Sequence, residues 1–545
     1  MDPNELSFYI LIAITSMVIC MVITPIMIRI APIIGMLDKP DGRKVHTAAI
    51  PRSGGVGIVV GMLVPLFLWL ELDRFIISIL IGCSILLFFG AWDDSRNIRP
   101  AFKFFGQLMA AIVVVYYGDI YVFHFPFIGL EELHPYVGKP FTVIAIVGMI
   151  NALNLSDGLD GLAGGEALIS LAAIAFLSYL YDATNGLAVA AATIGGIFGF
   201  LRFNSYPARI FMGDTGSQTL GFILGVMVVY ISQQVNHTIS PVITLLLLGL
   251  PVVDSIAVFY LRGKRGVSLV VAAKDHLHHR LLGLGFYHYE TVIIIYSIQM
   301  IFVVGAVLLP YESDYLLIGL YLGSSILLFS IITIAERSSW SAHISNTVKP
   351  LFLSNVLDKN AHLAIIPYWV LELGISLFIV TAALMSNNIP VDLGVSSLIL
   401  LILLLLVAVT SLFRIQLYRL IMFVTMGFSV YLVSTYPPVW LLDQISIVYI
   451  FFVLMAFSSF VVARITIADK FQITPLDYLV IIVVIIVGML PGIDHGSSSM
   501  IGMAVQIIVL FYACELTIQH MKNRLNVLTG SAMLALGLIA IRGLV

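Results

Sequence analysis

The chain has 545 residues, is 60% hydrophobic and only 10% charged, and carries a net charge of −3. A mean hydropathy of +1.07 excludes a soluble single core of ordinary size, and the charge balance gives no support to a nucleic-acid-binding surface. Apolar runs repeatedly reach the length of about 20 residues that crosses hydrocarbon, so the chain is expected to be an all-α, polytopic transmembrane helical bundle.

In chain order, the first apolar run, residues 7–31, follows acidic Asp2 and Glu5. It lacks the basic flank and small-residue cleavage site of a secretory signal peptide and is read as a permanent helix. The loop after it holds Lys44 and His46 and ends in Pro51-Arg52-Ser53-Gly54-Gly55, a glycine turn able to aim backbone N–H groups at an anion. Positive-inside orientation alone also accounts for basic residues here. Spans follow over 54–72 and 75–92, and the second runs straight into Asp93-Asp94, with Asn97, Arg99 and Lys103 close behind. Two adjacent carboxylates at a membrane edge need a divalent metal, basic neighbours or a proton if they are buried; a solvated loop is the ordinary alternative.

Spans over 102–117 and 141–152 lead into Asn151-Ala-Leu-Asn154-Leu-Ser-Asp157-Gly-Leu-Asp160-Gly161. A spacing of three puts Asn151 with Asn154, and Asp157 with Asp160, on one face of a helical turn, while the glycines permit close approach of a ligand or another helix. A helix cap would explain one of these carboxylates, not four polar residues at this spacing. Beyond spans 159–180 and 186–201, Phe211-Met-Gly213-Asp214-Thr215-Gly216-Ser217 sets an acid among small residues at the entry to span 218–231, as a Mg²⁺ ligand or simply an N-cap. After span 241–261 comes the longest basic loop, with Arg262, Lys264, Arg265 and Lys274 ahead of Asp275-His276-Leu277-His278-His279-Arg280. With no Cys and several cations nearby, these imidazoles fit a phosphate better than zinc.

A span over 291–309 and further spans beginning near Tyr315, Ala364, Leu393, Leu420, Trp440, Asp477, Met500 and Leu525 bring the total to about 18. With the N-terminus outside, all of the 27 Lys and Arg residues except Arg74, Lys139 and Arg542 fall on one side, which marks that side as cytoplasmic. Long polar loops give way to Leu, Ile and Val, which divides the chain into a chemical core over 1–335 and a C-terminal transmembrane extension over 336–545. Glu372 and Glu515 lie inside spans of that extension, as partner or headgroup contacts or as hydrogen-bonded carboxyl groups. Cys20, Cys83 and Cys514 have no CxxC spacing and read as packed side chains. All the polar clusters lie on the cytoplasmic side and combine acidic metal ligands with cationic phosphate ligands, the composition of a Mg²⁺ and diphosphate site. A transporter or flippase would keep such groups near the bilayer midplane rather than at the helix ends.

The Asp93-Asp94 pair with Lys103, the Asn151 to Gly161 string, Met212-Gly213-Asp214-Thr215-Gly216-Ser217 and His276-Leu277-His278-His279 occur in an order that resembles the polyprenyl-phosphate N-acetylhexosamine-1-phosphate transferases. The likeness covers the first 300 residues or so; it implies a core of about ten or eleven spans and leaves the extension without a template. It implies transfer of N-acetylhexosamine 1-phosphate from a UDP-sugar to undecaprenyl phosphate, with release of UMP, at the cytoplasmic face of a bacterial plasma membrane. The interrupted His-x-His-His pattern resembles the GlcNAc-type branch; the phospho-MurNAc-pentapeptide branch is the alternative. The resemblance further implies Mg²⁺, with Mn²⁺ as a substitute, held by Asp214 and Asn154. Asp93, Asp94, Lys103 and Asp214 are then the catalytic group. Lys44, His46, Arg52, Asn97, Asn151, Asp157, Asp160, His276, His278, His279 and Arg280 are expected to bind substrate, with Lys103 and Asn97 on phosphates, Asp160 near uracil, and the His loop with Arg280 on diphosphate or sugar. Membrane lipids are expected partners, and a homodimer is compatible with the reading. An acceptor phosphate whose second pKa is about 6 is already largely deprotonated at neutral pH, so Asp93 is expected to position rather than to act as an obligatory base. A phospho-enzyme formed on an Asp is the rival route.

Overall fold

Helices account for nearly all of the computed structural model, which describes every residue except 1–2, 39–48, 126–129, 267–274, 339, 343–364, 410–413, 439–444, 467–493, 496–497 and 521–525. Among the described residues 13 helices are long and apolar enough to cross a membrane and four more are apolar but shorter. The predicted spans thus have their helices; the one placed near Asp477 lies outside the described residues. Helices dominate because hydrocarbon offers no partner to backbone N–H and C=O groups, which must be satisfied within the segment.

The chain forms two compact units. The core unit takes in the described residues of Ile12–Ser345. Its helices are α1 (Pro3–Ile34, whose first turns belong to the other unit), α2 (Gly54–Trp69), α3 (Arg74–Arg96), α4 (Pro100–Ile112), α5 (Pro135–Ser156), α6 (Leu162–Leu180), α7 (Thr184–Asn204), α8 (Gly213–Tyr230), α9 (Ile243–Arg265), α10 (Leu277–Gly283), α11 (His288–Leu308) and α12 (Asp314–Arg337). The second unit comprises Met1–Leu11, Asn346–Ile473 and Val480–Val545, with α13 (Ile365–Met385), α14 (Val391–Val409), α15 (Arg414–Thr435), α16 (Ile445–Thr466), α17 (Met500–His520) and α18 (Asn526–Leu544). The boundary drawn from composition at residue 335 falls inside α12.

The core unit is built around α8, which packs on α2, α3 and α5. Its apolar stretch is 94% buried, and small residues let the neighbours close on it. A Cβ on Gly55 of α2 would lie 2.1 Å from the backbone nitrogen of Gly216, so that crossing admits only glycine. α9 is broken inside the bundle at Gly249, with φ +37°, two residues before Pro251. Gln299 of α11 repairs the break: its Oε1 accepts from Leu250 N at 2.8 Å and its Nε2 donates to Leu247 O at 3.3 Å. Tyr321 of α12 donates to Gly249 O at 3.1 Å. A broken helix is tolerated in hydrocarbon when its freed groups are satisfied by neighbours in this way.

Candidate active site

The C-terminal end of α3 and the N-terminal end of α8 meet through Asp94. This side chain is 1% exposed, and it accepts from Asp214 N at 2.8 Å, Thr215 N at 3.0 Å and Thr215 Oγ1 at 2.8 Å. Asp94 therefore supplies from another helix the cap that α8 lacks locally, since the N-cap residue Met212 offers no side-chain acceptor. Gly213, at φ +67°, is required here: a Cβ would sit 2.6 Å from both Asp94 oxygens. The expected support of metal or lysine by Asp94 is thus indirect, because its oxygens are already committed to the α8 start.

With that start fixed, Asp214 turns towards α4 and α5. Lys103 Nζ lies 2.7 Å from Asp214 Oδ1, 3.4 Å from Asn154 Oδ1 and 3.8 Å from Asp93 Oδ2. Asn154 donates to Asp214 Oδ1 at 2.6 Å and to Ser217 Oγ at 2.7 Å. Asp93 and Asp214 approach within hydrogen-bonding contact, and Asp93 Oδ1 is anchored by Ile98 N at 2.8 Å. Three residues, on α3, α5 and α8, thus converge around the ammonium of Lys103 on α4.

α5 ends at Ser156, so Asn151 and Asn154 are helical whereas Asp157 and Asp160 are not; the glycines that follow, with Gly161 at φ +81°, turn the chain out of the helix. The expected shared helical face of Asp157 and Asp160 is corrected to a turn. That turn is braced by residues that no motif singled out. Asn204 accepts from Gly161 N at 2.9 Å and donates to Ile210 O at 2.8 Å, Tyr296 donates to Gly161 O at 2.7 Å, and His288 Nε2 accepts from Asp160 N at 3.2 Å. Asp160 Oδ2 in turn accepts from Ala208 N at 2.9 Å. Asp157, in the link between the helices, is pushed up to about 7, by burial first and then by the nearby charges of Asp214, Asp94 and Asp160.

The His loop is a short helix, α10, rather than an open loop. His278 is 3% exposed and packs on Gly158, where a Cβ would fall 2.2 Å from its Nε2, which docks α10 onto the Asp157 turn. Burial, followed by the neighbouring imidazoles of His279, His276 and His288, pushes His278 down to about 3, so its ring is neutral at physiological pH in this structure. The rings of His276 and His278 lie parallel at 5.9 Å, and His279 lies 4.2 Å from His278.

Other expected substrate ligands have structural partners. Arg280 forms a two-pronged pair with Glu336 of α12, both contacts at 2.8 Å, and reaches Thr333 at 2.9 Å. Arg52 donates to Asp94 O at 2.9 Å and to Asn97 Oδ1, closing the C-terminal end of α3. Asn151 donates to Gln107 at 2.8 Å, and Gln107 donates to Gln218 at 3.2 Å, an amide ladder linking α5, α4 and α8. Lys44 and His46 lie outside the described residues.

The Lys103 ammonium, set among oxygens of Asp214, Asn154 and Asp93, marks a spot shaped for a cation. Among the described residues no three His, Cys, Asp or Glu side chains converge on a point. The side-chain oxygens here that fit a hard cation such as Mg²⁺ are those of Asp214 and Asn154 Oδ1. In the same unit an apolar groove of about 560 Å³ runs between α5, α8 and α9. It extends from Ala152 and Phe259 to Val122 and Phe125.

Residues 76–232 match the model of glycosyl transferase family 4, a stretch that contains Asp93, Lys103, Asn154, Asp157 and Asp214. The chain is 35% identical over 298 residues to the probable undecaprenyl-phosphate N-acetylglucosaminyl 1-phosphate transferase of Bacillus subtilis (strain 168), covering 54% of this chain and 83% of that protein. It is 32% identical over 278 residues to the undecaprenyl-phosphate alpha-N-acetylglucosaminyl 1-phosphate transferase of Escherichia coli (strain K12), covering 49% and 74%. The phospho-N-acetylmuramoyl-pentapeptide-transferase of Endomicrobium trichonymphae is 32% identical over 311 residues, covering 50% and 84%. The chain belongs to the family of polyprenyl-phosphate N-acetylhexosamine-1-phosphate transferases.

Proposed function

We propose that this protein transfers N-acetylglucosamine 1-phosphate from UDP-GlcNAc to undecaprenyl phosphate, releasing UMP, at the cytoplasmic face of a bacterial plasma membrane. The observation that carries the reading is the convergence of Lys103, Asp93, Asn154 and Asp214 in a helix bundle that also holds an apolar groove between α5, α8 and α9. A polyprenyl phosphate needs both halves of that arrangement: hydrocarbon walls for its chain and cations for its headgroup. The basic residues that share this side of the predicted topology support a cytoplasmic opening, where the nucleotide sugar is found.

The acceptor phosphate attacks the sugar-linked phosphorus of the UDP-sugar, and the bond to UMP breaks. Because that acceptor is mostly dianionic at neutral pH, alignment and charge neutralisation account for the catalysis. Lys103 neutralises phosphate oxygens. Asp93, held by Ile98 N and Lys103, positions the headgroup, and this fixed geometry favours direct transfer over a phospho-aspartyl intermediate. Asp214 and Asn154 would hold Mg²⁺, which when bound supplies charge neutralisation of the diphosphate. Asp157 and Asp160 shape the braced turn against which the nucleotide rests.

The test is UMP release by membranes carrying the protein, with undecaprenyl phosphate and, in separate reactions, UDP-GlcNAc, UDP-GalNAc and UDP-MurNAc-pentapeptide. Turnover with UDP-GlcNAc that EDTA abolishes and added Mg²⁺ restores supports the reading. Metal-independent turnover, or preference for the pentapeptide donor, overturns it.

A further inference from the structure

Asp254 stands outside every motif the sequence singles out, yet it is the residue that holds the His loop in place. It lies on α9, five residues beyond the break at Gly249, and is 3% exposed. Its two oxygens grip the start of α10 at two points: Oδ2 is 2.8 Å from His276 Nδ1, and Oδ1 accepts from Leu277 N at 2.8 Å. A carboxylate accepts and does not donate, so the first contact requires the hydrogen of His276 to reside on Nδ1. The second contact fixes the backbone from which that ring projects. The ring edge bearing Nε2 is thereby turned away from Asp254. His276 stacks parallel to His278, which packs on Gly158 beside Asp157, so the same short helix is tied to the floor of the candidate site.

Resting on the transferase reading, we infer that Asp254 is a positioning residue: it keeps His276 in the Nδ1–H form and presents Nε2, which in that form accepts, to a hydroxyl or amide N–H of the nucleotide-sugar donor. A carboxylate that merely capped α10 would need only the Leu277 contact. The pairing of both oxygens, one to ring and one to backbone, sets side-chain orientation and tautomer together. Asparagine at 254 keeps one acceptor oxygen but replaces the other by a donor, so it cannot reproduce both contacts.

The experiment uses the full-length protein in lipid nanodiscs, with UMP release measured at saturating undecaprenyl phosphate and varied UDP-GlcNAc. The variants are Asp254→Asn, Asp254→Glu, His276→Asn and the double variant Asp254→Asn/His276→Asn. Asp254→Asn is expected to lower kcat about 10- to 100-fold, the range for partners that orient a ligand-bound imidazole, and Asp254→Glu to recover part of that loss. KM for UDP-GlcNAc stays within about threefold, and the double variant is no slower than His276→Asn alone, because both changes remove one unit. Nitrogen-15 spectra of labelled imidazoles, with His276 assigned by its loss in His276→Asn, should show Nδ1–H in the wild type and a changed tautomer in Asp254→Asn. Multiplying losses in the double variant, or an unchanged His276 spectrum in Asp254→Asn, would overturn the inference. Absence of UMP release by the wild type would instead defeat the transferase reading, while the spectra still decide whether Asp254 orients His276.

Discussion

In the core unit the Lys103 ammonium faces the carboxylates of both Asp214 and Asp93, whereas in the C-terminal unit Arg419 pairs with Glu515 at 2.8 Å. Both are ionisable clusters within membrane-spanning helices, where charge is costly. They differ in balance. The core cluster gathers two carboxyl groups and an amide oxygen around one ammonium. The Arg419–Glu515 contact matches charge to charge, an arrangement that holds α15 to α17. Burial of charge in a membrane is thus weak evidence of chemistry until the surrounding charge has been counted.

The comparison is broken most sharply by removing one of the two core carboxylates. Asp214→Asn is expected to reduce UMP release by about 1,000-fold, the scale for loss of a preorganised electrostatic group, while the protein still inserts and elutes normally. Retained turnover would place the chemistry elsewhere. On the other side, Glu515→Gln strands a buried guanidinium and should destabilise the C-terminal unit by about 3 kcal/mol, with the transferase activity unchanged. Paired apolar replacement of Arg419 and Glu515 should restore much of that loss, as judged by thermal unfolding in detergent.

Asp94→Asn sharpens the contrast within the core. Removing this cap from α8 should cost about 1–2 kcal/mol in thermal unfolding, with activity falling because Asp214 is displaced. Asp93→Asn should reduce activity with little change in unfolding. Equal behaviour of the two variants would contradict the division between a capping and a positioning carboxylate. The smallest effect concerns Asp157, raised from 3.8 to about 7. The native state then holds a proton that the unfolded chain releases, so stability is greatest below the ordinary carboxylate range and is lost as pH rises through about 7. Asp157→Asn should flatten that slope in ligand-free thermal unfolding between pH 5 and pH 8, values chosen to lie about the shifted pKa.

Much of this protein was readable in one dimension. Spans declare themselves through runs of Leu, Ile and Val, because crossing hydrocarbon depends on local length and polarity. The acidic and amide motifs stood out because such residues are expensive in an apolar chain. Less readable were the partners that decide what each polar residue does. Asp94 looked like a metal or lysine partner and is the cap of α8; Arg280 looked like a diphosphate ligand and is held by Glu336. Asn204, Tyr296 and Gln299 gave little signal, since each is a single polar residue in an apolar helix whose purpose lies on another helix.

The amino-acid sequence by itself determined the class of structure, the helices and the membrane-edge concentration of acidic, amide and imidazole groups, for these follow from hydropathy and from residue type within a few turns. Only the tertiary structure decided which oxygens remain for a cation and which are spent on backbone N–H groups, and that His276 is gripped through Asp254. The physical reason is that a hydrogen bond or ion pair is settled by distance in space over a few ångströms, while the participants here are separated by tens to more than a hundred positions along the chain.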